Sequence, residues 1–413
     1  MTSPGADNDN NRSLTVHNTF IGNWLLDIAL IYGSKLTADI SVSDVNTRTN
    51  NLYRVFGANF IGRMSGKVVA AFVAKADLLA ASPAYSDQSG VDWTTAAASA
   101  AKVLNHIGGV DGMDPTGWTW YCNVDDIEKL SPTESPAEIL WRGERAKSLS
   151  LEEDNFPPTL YGNGRINPTQ NLVDAFPMLN GYPVSHLSGE YDENLPYANR
   201  DPRLEAYILY NGCKAGNTNK EIFTAADGTT NDALNKVVGR STRTGYYLRK
   251  LLRQDISLDP NAKADQYHYT PRIRYTEIFL AYAEAANQAY GPQDKGGNGY
   301  SAYDVVKKLR HRAGIGRDNG DAYLESIKND QAKMAELIRN ERRIELCFEG
   351  FRFWDLRRWK SNLTETAKGM NISGTRYTPM EVDKRSFSEY MYYGPIPYSE
   401  VLKYDELKQN QGW

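Results

Sequence analysis

Apolar residues recur at helical spacing in two separate parts of this chain. In the first part, the pattern predicts one helix over 65–81 and another over 92–107. In the second part, it predicts helices over 275–290, 301–314 and 330–350. Two amphipathic helices joined by a short connection form a helical hairpin, which needs neighbouring hairpins to cover its apolar face. We therefore predict TPR-like packing of helical hairpins, although the standard TPR sequence signature is absent.

A long segment between these helical parts has a different character. Residues 109–270 are rich in Gly, Pro, Asn and aromatic residues, and only short runs such as 138–141 favour a β-strand. A loop region of this length is uncommon unless it has a function. The predicted fold is mainly α, a TPR-like helical-hairpin scaffold with a large loop-rich insert that contains short β-strands.

These patterns divide the chain into four parts. Residues 1–19 are predicted to be a disordered start, and residues 20–108 an N-terminal helical part. Residues 109–270 form the aromatic insert, and residues 271–413 form a C-terminal helical region followed by an irregular tail from about residue 360.

The charge and the reactive residues exclude several classes of function. Lys and Arg total 47 against 51 Asp and Glu, so the chain lacks the basic excess that nucleic-acid binding requires. Three cysteines without a CxxC pair and five scattered histidines predict no metal site and no cofactor. No apolar stretch approaches the roughly 18 residues of a membrane span.

The aromatic composition favours a polar ligand. The chain has 26 Tyr and 8 Trp but only 12 Phe, and Tyr and Trp combine an apolar face with a polar group. Trp118, Trp120 and Tyr121 lie outside any helical pattern, and an extended segment would place the two Trp rings on one side. We predict that they stack on a ligand such as a sugar. The alternative is that they fill the core of the insert.

A second candidate is the turn that carries Tyr161, Asn163 and Arg165. Gly162 and Gly164 separate these residues and allow a turn that presents them outward. A phosphate-binding role for this short GxG pattern is weakly supported, because no helix clearly follows it.

The densest local pattern covers residues 340–359, called here the signature stretch. Acidic and basic residues alternate with large aromatic residues, and the i,i+3 spacing predicts the pairs Arg342–Glu345, Arg352–Asp355 and Asp355–Arg358. Its acids might be taken for catalytic carboxylates, but we interpret them as ion-paired residues of a rigid scaffold helix. The residues assigned this structural role are Glu341, Arg342, Arg343, Glu345, Arg352, Asp355 and Trp359.

The signature stretch resembles the C-terminal motif of the SusD/RagB family, of the form NERR.EL.fEG.R..DL.RW. Further segments resemble the same family in the same order, including a motif at 200–204 that resembles its RDPRL start of a strand. The other segments are 62–83, 167–176, 245–250, 274–285, 395–397 and 409–413.

This resemblance implies a nutrient-binding outer-membrane lipoprotein with no enzymatic activity. Such a protein binds oligosaccharides at the outer cell surface and delivers them to a SusC-like TonB-dependent transporter. The alternatives are a peptide-binding relative of the RagB type, a glycan-processing enzyme that uses two carboxylates, and an intracellular TPR-type scaffold.

The start and the end of the chain depart from the family pattern. Residues 1–61 match poorly, there is no lipoprotein signal or acylated cysteine, and Gln411 replaces the usual proline. We therefore expect an N-terminally incomplete chain. Contact with a membrane would be made only through a lipid anchor that this chain lacks.

Overall fold

The computed structural model describes residues 65–130, 135–318 and 320–413. The predicted disordered start at 1–19 and residues 20–64 of the predicted N-terminal helical part lie outside the described residues. The four-part division of the chain stays a prediction.

The described part of the chain is mainly helical, as predicted. The α-helices in chain order are α1 (Gly66–Ala81), α2 (Ser86–Ser89), α3 (Trp93–Asn105), α4 (Val124–Lys129), α5 (Ser150–Asn155), α6 (Gln170–Val173), α7 (Pro202–Tyr207), α8 (Tyr275–Tyr290), α9 (Ala302–Ala313), α10 (Ala322–Ile327), α11 (Gln331–Glu345), α12 (Phe351–Arg358) and α13 (Tyr398–Val401). Short 3₁₀ helices occur mostly in the insert, at Gly109–Gly112, Gly117–Thr119, Pro158–Leu160, Leu187–Gly189 and Glu389–Tyr392.

Helix α8 lies at the centre of the largest core. It packs against α1 and α3 on one side and against α9 and α11 on the other, and its residues from Tyr275 to Asn287 are all buried. Alanines on α1, α3 and α8 allow these helices to approach closely. The two helical parts of the sequence therefore meet around one helix, which is the hairpin packing that the sequence predicts.

The predicted helix starts are set by local capping. The Asp92 carboxylate accepts a hydrogen bond from the Thr95 amide at 2.7 Å, and α3 begins directly after it. Ser301 and Asp304 form a reciprocal capping box at the start of α9.

The helix predicted over 330–350 ends earlier than expected. Helix α11 ends at Glu345, and α12 begins at Phe351 after a turn. Phe348 and Gly350 in this turn have φ angles of 64° and 85°, which no α-helix accommodates. The signature stretch therefore spans the end of α11, a turn and α12.

The strands form two-stranded antiparallel pairs. In chain order they are β1 (Ile139–Arg142), β2 (Ala146–Ser148), β3 (Ile208–Leu209), β4 (Lys214–Ala215), β5 (Lys220–Glu221), β6 (Tyr247–Leu248), β7 (Gln266–His268), β8 (Pro271–Arg274), β9 (Ala367–Ser373) and β10 (Arg376–Asp383). The pairs are β1–β8, β2–β7, β3–β6, β4–β5 and β9–β10. Because β1 and β2 follow each other, as do β7 and β8, the first two pairs form one bent ribbon.

Two expectations about strands are wrong. The segment 200–204 was expected to start a strand, but Pro202 begins α7 and the Asp201 side chain caps it, so that β3 follows only at Ile208. The tail was expected to be irregular, but β9 and β10 form a hairpin whose loop contains Gly374 with a φ of 57°.

Within the described residues, no helix is both long enough and apolar enough to cross a membrane.

We expect Ser301→Ala to lower the free energy of unfolding by about 0.5–2 kcal/mol, because it removes the cap of α9. Chemical denaturation of the parent and the variant measures this difference. Ser386→Ala, at an exposed serine of the tail, is the control and should leave the midpoint unchanged. An equal effect of both substitutions would show that the cap does not stabilise α9.

Candidate functional site

The carboxylates of α11 are buried and paired with arginines from distant segments. Glu341 is bound by Arg203 and by Arg310, each at 2.8 Å. Glu345 is bound by Arg203 at 3.0 Å and by Arg312 at 3.4 Å. Neither acid is exposed, so each is held in place by cations that come from α7 and α9.

The pKa of Glu345 shows how strong this pairing is. Burial alone would raise its pKa, but the guanidinium groups of Arg312, Arg203 and Arg274 lower it to about 2. The carboxylate therefore stays ionised inside the protein, since three cations replace the water it has lost.

The pairs predicted from spacing are present only in part. Asp355 binds Arg358 at 2.8 Å as expected. Arg342 does not pair with Glu345 but binds Asp355 at 3.1 Å, because the break after α11 folds α12 back beside it. Arg352 makes no ion pair with any described residue, so the expected pair with Asp355 is wrong. The indole of Trp359 donates to Glu284 at 2.6 Å.

A cleft of about 580 Å³ opens beside this ion-pair network. The bent ribbon forms one wall, the segment after the 3₁₀ helix Gly117–Thr119 forms a second, and the turn between α11 and α12 forms a third. Its volume lies within the range of small-ligand sites, about 300–1,000 Å³. The ring side chains that line it are Trp120, Tyr121, His268, Tyr269, Phe348 and Phe351.

Contacts between rings fix the aromatic wall. The centroid of the Trp120 ring lies 5.5 Å from that of Tyr269 and 5.8 Å from that of Tyr121. The Tyr121 hydroxyl donates to the carbonyl of Ala206 at 2.7 Å, and the Tyr207 hydroxyl donates to the carbonyl of Trp118 at 2.8 Å. These rings are therefore preorganised.

One donor of this wall is unused. The buried indole N–H of Trp120 has no hydrogen-bond partner among the described residues. An unpaired buried donor costs about 1–3 kcal/mol. The nitrogen itself is closed to solvent, so an oxygen atom of a ligand reaches this donor only if the Trp120 ring turns towards the cleft that it borders.

The acids of the cleft are occupied by cations. Glu349 accepts hydrogen bonds from Arg274 and from Lys250, both at 2.7 Å. Burial would raise the pKa of Glu349, but these two cations lower it overall. Glu277 binds Lys75 at 2.8 Å, while Glu144 lies at the exposed rim.

Strained backbone shapes the third wall. Phe348 and Leu251 both line the cleft and have φ angles of 64° and 72°. Such bulky residues rarely adopt this conformation, which costs about 1–3 kcal/mol for each. The Lys250 ammonium lies between them and donates to the carbonyls of Glu345 and Cys347 at 2.7 and 3.1 Å. This clamp holds the turn that shapes the cleft.

The structure separates the two groups of predicted ligand residues. Trp118, Trp120 and Tyr121 lie in and after a 3₁₀ helix, so the expected extended segment is wrong. Trp120 and Tyr121 are each 6% exposed and pack in a hydrophobic core, although both border the cleft. Trp118 is half-buried and does not line the cleft.

The turn with Tyr161 lies away from the cleft. Tyr161 is 46% exposed with its backbone in the left-handed region, and the Lys220 ammonium lies 5.3 Å from its ring centroid. Arg165 is exposed and binds Asp154 at 3.2 Å, and Asn163 is half-buried. This turn remains a second, separate candidate surface.

Sequence reasoning missed the other residues of the cleft. Tyr269 belongs to an alternating run with Tyr267 in the insert, which is a strand signal that we did not use. Phe348 and Phe351 were assigned to a continuous helix, and nothing local shows that a turn directs them to a cleft.

Possible metal ligands and three cysteines occur in the described ranges. Within the described ranges, no group of three or more His, Cys, Asp or Glu could hold a metal ion. The three cysteines are free thiols, and Cys347 is buried.

We expect Glu345→Gln to lower the free energy of unfolding at pH 7 by about 3–5 kcal/mol, because it leaves buried arginines without an anion. The stability that Glu345 provides is present above its ordinary pKa of 4.5 and is lost as pH falls towards its folded pKa of about 2. The parent and the variant should therefore converge by about 3 kcal/mol over this range.

Denaturant unfolding at several pH values between 2 and 7 measures this convergence, with Glu389→Gln, an exposed glutamate of the tail, as the control. A difference between parent and Glu345→Gln that does not change with pH would contradict the pairing described here.

Known proteins resemble this chain in sequence and in fold. The SusD family profile matches residues 141–413. SusD-like protein P2 of Formosa agariphila is 32% identical over 152 residues, which are 36% of this chain and 26% of that protein. SusD-like protein P38 of the same organism is 33% identical over 85 residues, which are 20% of this chain and 16% of that protein. The matched segments thus span about a quarter or less of these relatives.

Solved structures share the fold. A SusD-like protein from Bacteroides fragilis superposes with a TM-score of 0.64 at 26% identity, covering 90% of this chain and 70% of that one. A protein from the same organism, described as a SusD-like carbohydrate-binding protein, superposes with a TM-score of 0.60 at 22% identity and covers 87% and 68%. Because the family profile matches most of the sequence through its last residue, this chain belongs to the SusD family.

Proposed function

We propose that this chain binds oligosaccharides without cleaving them, and that the cleft walled by Trp120, Tyr121 and Tyr269 holds the ligand. The observation that carries the proposal is a preorganised aromatic wall that contains an unpaired indole N–H. Ring faces suit the C–H faces of sugars, and a buried donor suits a sugar oxygen. Membership of the SusD family and a fold shared with a carbohydrate-binding protein agree with this proposal.

The polar groups of the cleft complement the rings. His268 lines the cleft and contacts Glu152 at 3.0 Å. Glu349 and Arg274 also line it, and they form an ion pair at 2.7 Å. Such groups can exchange hydrogen bonds with hydroxyls. We expect weak affinity, because sugars lose well-formed hydration when they bind.

The pairing of the acids supports the non-enzymatic part of the proposal. Glycoside hydrolysis requires one carboxylic acid that gives up a proton and one carboxylate that attacks or activates water. Glu349 is bound by two cations and Glu277 by the Lys75 ammonium. The two cations hold Glu349 in its ionised form. Burial raises the pKa of Glu277 despite the Lys75 ammonium, so it is the ion pair, and not its pKa, that opposes a role as proton donor.

The proposal includes delivery of the ligand to a SusC-like TonB-dependent transporter at the outer face of the outer membrane, in the manner of the family. Co-expression with a SusC-like transporter from the same genome, followed by affinity purification through a tag on this chain, tests it. We expect a stable complex of the two proteins. Recovery of this chain alone under conditions that keep the transporter folded would contradict the delivery step.

We expect Trp120→Phe to weaken oligosaccharide binding roughly 3- to 10-fold, because it removes one hydrogen bond and keeps a ring in the core. A glycan array identifies a ligand, and isothermal titration measures its affinity for the parent and the variant. The matched control is Trp118→Phe, two residues earlier in the same segment and outside the cleft, which should bind like the parent.

Two results would assign the ligand to another site or to another chemical class. If Trp120→Phe binds like the parent while Tyr161→Ala loses binding, the ligand lies on the turn with Tyr161, Asn163 and Arg165. If the array is negative and a peptide library is positive, the ligand is a peptide.

Incubation of the protein with labelled oligosaccharides tests the absence of catalysis. We expect no product above the rate without protein. Product that increases with protein concentration, and that disappears in Glu277→Gln or Glu349→Gln, would identify a hydrolase.

A further inference from the structure

Two arginines of the signature stretch form no ion pair with a described carboxylate. Arg343 on α11 and Arg352 on α12 form no hydrogen bond or ion pair with any residue that the structure describes, and both are half-buried. The other four arginines of these two helices all have a partner, either a carboxylate or an aromatic ring: Arg339, Arg342, Arg357 and Arg358. Arg343 and Arg352 are therefore exceptions within their own helices.

These two arginines lie together with a third. Arg343 and Arg385 both act electrostatically on Arg352, and Arg385 acts on Arg343. Asp355 and Glu365 act in the opposite sense on Arg352, as do Glu365 and Asp174 on Arg343. Asp355 is already bound by Arg342 and Arg358, and Glu365 lies 4.0 Å from Arg385, at the limit of an ion pair. Burial, and then the charge of Arg343, lowers the pKa of Arg352 to about 10. Besides Asp355, which is already paired, the three cations thus share two exposed carboxylates, Glu365 and Asp174.

Such an arrangement is unfavourable unless an anion completes it. A partly desolvated cation loses hydration energy, and neighbouring like charges add repulsion. Other buried charges of the signature stretch are paired: Asp355 binds both Arg342 and Arg358. Guanidinium groups present flat sets of donors that match the oxygens of carboxylate and sulfate groups.

The surroundings favour a saccharide as the carrier of this anion. Phe353 and Trp354 directly follow Arg352, and they are 52% and 62% exposed. Their rings meet edge to face with centroids 5.1 Å apart. The Arg357 guanidinium lies 3.5 Å from the centroid of the Phe353 ring, so Trp354 is the ring that suits a sugar with both a C–H face and a charged substituent.

We propose that Arg343, Arg352 and Arg385 form a binding site for an oxyanion, the carboxylate or sulfate group of an acidic saccharide. The identity of the carrier rests on the proposed function, whereas the oxyanion site does not. The site is separate from the cleft, whose lining contains none of these arginines.

Inorganic sulfate is the first probe. Thermal unfolding of the parent in millimolar sulfate, compared with chloride at equal ionic strength, should show a saturable rise in Tm. In Arg352→Gln the apparent affinity for sulfate should fall at least about tenfold, the loss expected for one charged hydrogen-bond donor. Arg376→Gln removes the same charge from an exposed arginine of β10 and should keep the parent response.

Stability without sulfate separates a binding role from a structural one. Arg352→Gln should unfold at the same temperature as the parent or higher, because an unpaired cation is removed. Arg358→Gln, which removes a paired arginine, should unfold at a clearly lower temperature. If Arg352→Gln is destabilised as much as Arg358→Gln, or if sulfate stabilises parent and Arg352→Gln equally, the oxyanion site does not exist.

Titration with uronate-containing or sulfated oligosaccharides, and with neutral ones of equal length, tests the carrier. We expect tighter binding of the acidic ligands and a reduction to the neutral level in Arg352→Gln. Binding of neutral sugars with no effect of Arg352→Gln on any ligand overturns the oxyanion site and leaves the proposed function intact. Binding of inorganic sulfate without any saccharide leaves the site intact and overturns the saccharide as its carrier.

Discussion

The carboxylate of Glu345 is the point on which the arrangement of the described chain depends. Its partners come from three places: Arg203 on the insert helix α7, Arg312 on α9 and Arg274 at the end of β8. A buried ion pair contributes little net stability compared with apolar packing, but its removal leaves costly unpaired charges. The pairing therefore specifies how the loop-rich insert is positioned on the helical scaffold, while the apolar contacts around α8 supply most of the stability.

The same network forms part of the candidate site. Arg274 binds both Glu138 and Glu349, and Lys250 binds Glu349 together with the carbonyls before it. These contacts hold Phe348 in a left-handed conformation and turn its ring towards the cleft. Scaffold and ligand site were expected to be separate, with rigidity in the signature stretch and recognition in the insert. In the structure, the turn of the signature stretch is a wall of the cleft, so a change in the network would also change the shape of the site.

Features with a local cause were predictable from the sequence. The starts of α3 and α9 follow from Asp92 and Ser301, because a cap acts within one helical turn. The break after Glu345 was not predictable, because it depends on contacts of the turn with Lys250, which is distant in sequence. The cleft was missed for the same reason: the rings of Trp120 and Tyr269 are far apart in sequence and meet only through the bent ribbon. The sequence could single out Trp120, but it could not decide whether the ring fills the core or lines a ligand site. In the structure, Trp120 packs in the core and also borders the cleft.

Charge pairing shows why spacing alone misleads. Arg352 and Arg358 both lie three positions from Asp355, so the spacing treats them alike. Asp355 is already bound by Arg358 and by Arg342 from the facing helix, and its two oxygens are then occupied. Arg352 is therefore excluded from pairing with Asp355. The break between α11 and α12 causes this, because it brings Arg342 to Asp355. Arg352 is left half-buried and without an ion pair to any described residue, which is why we propose an external oxyanion as its partner.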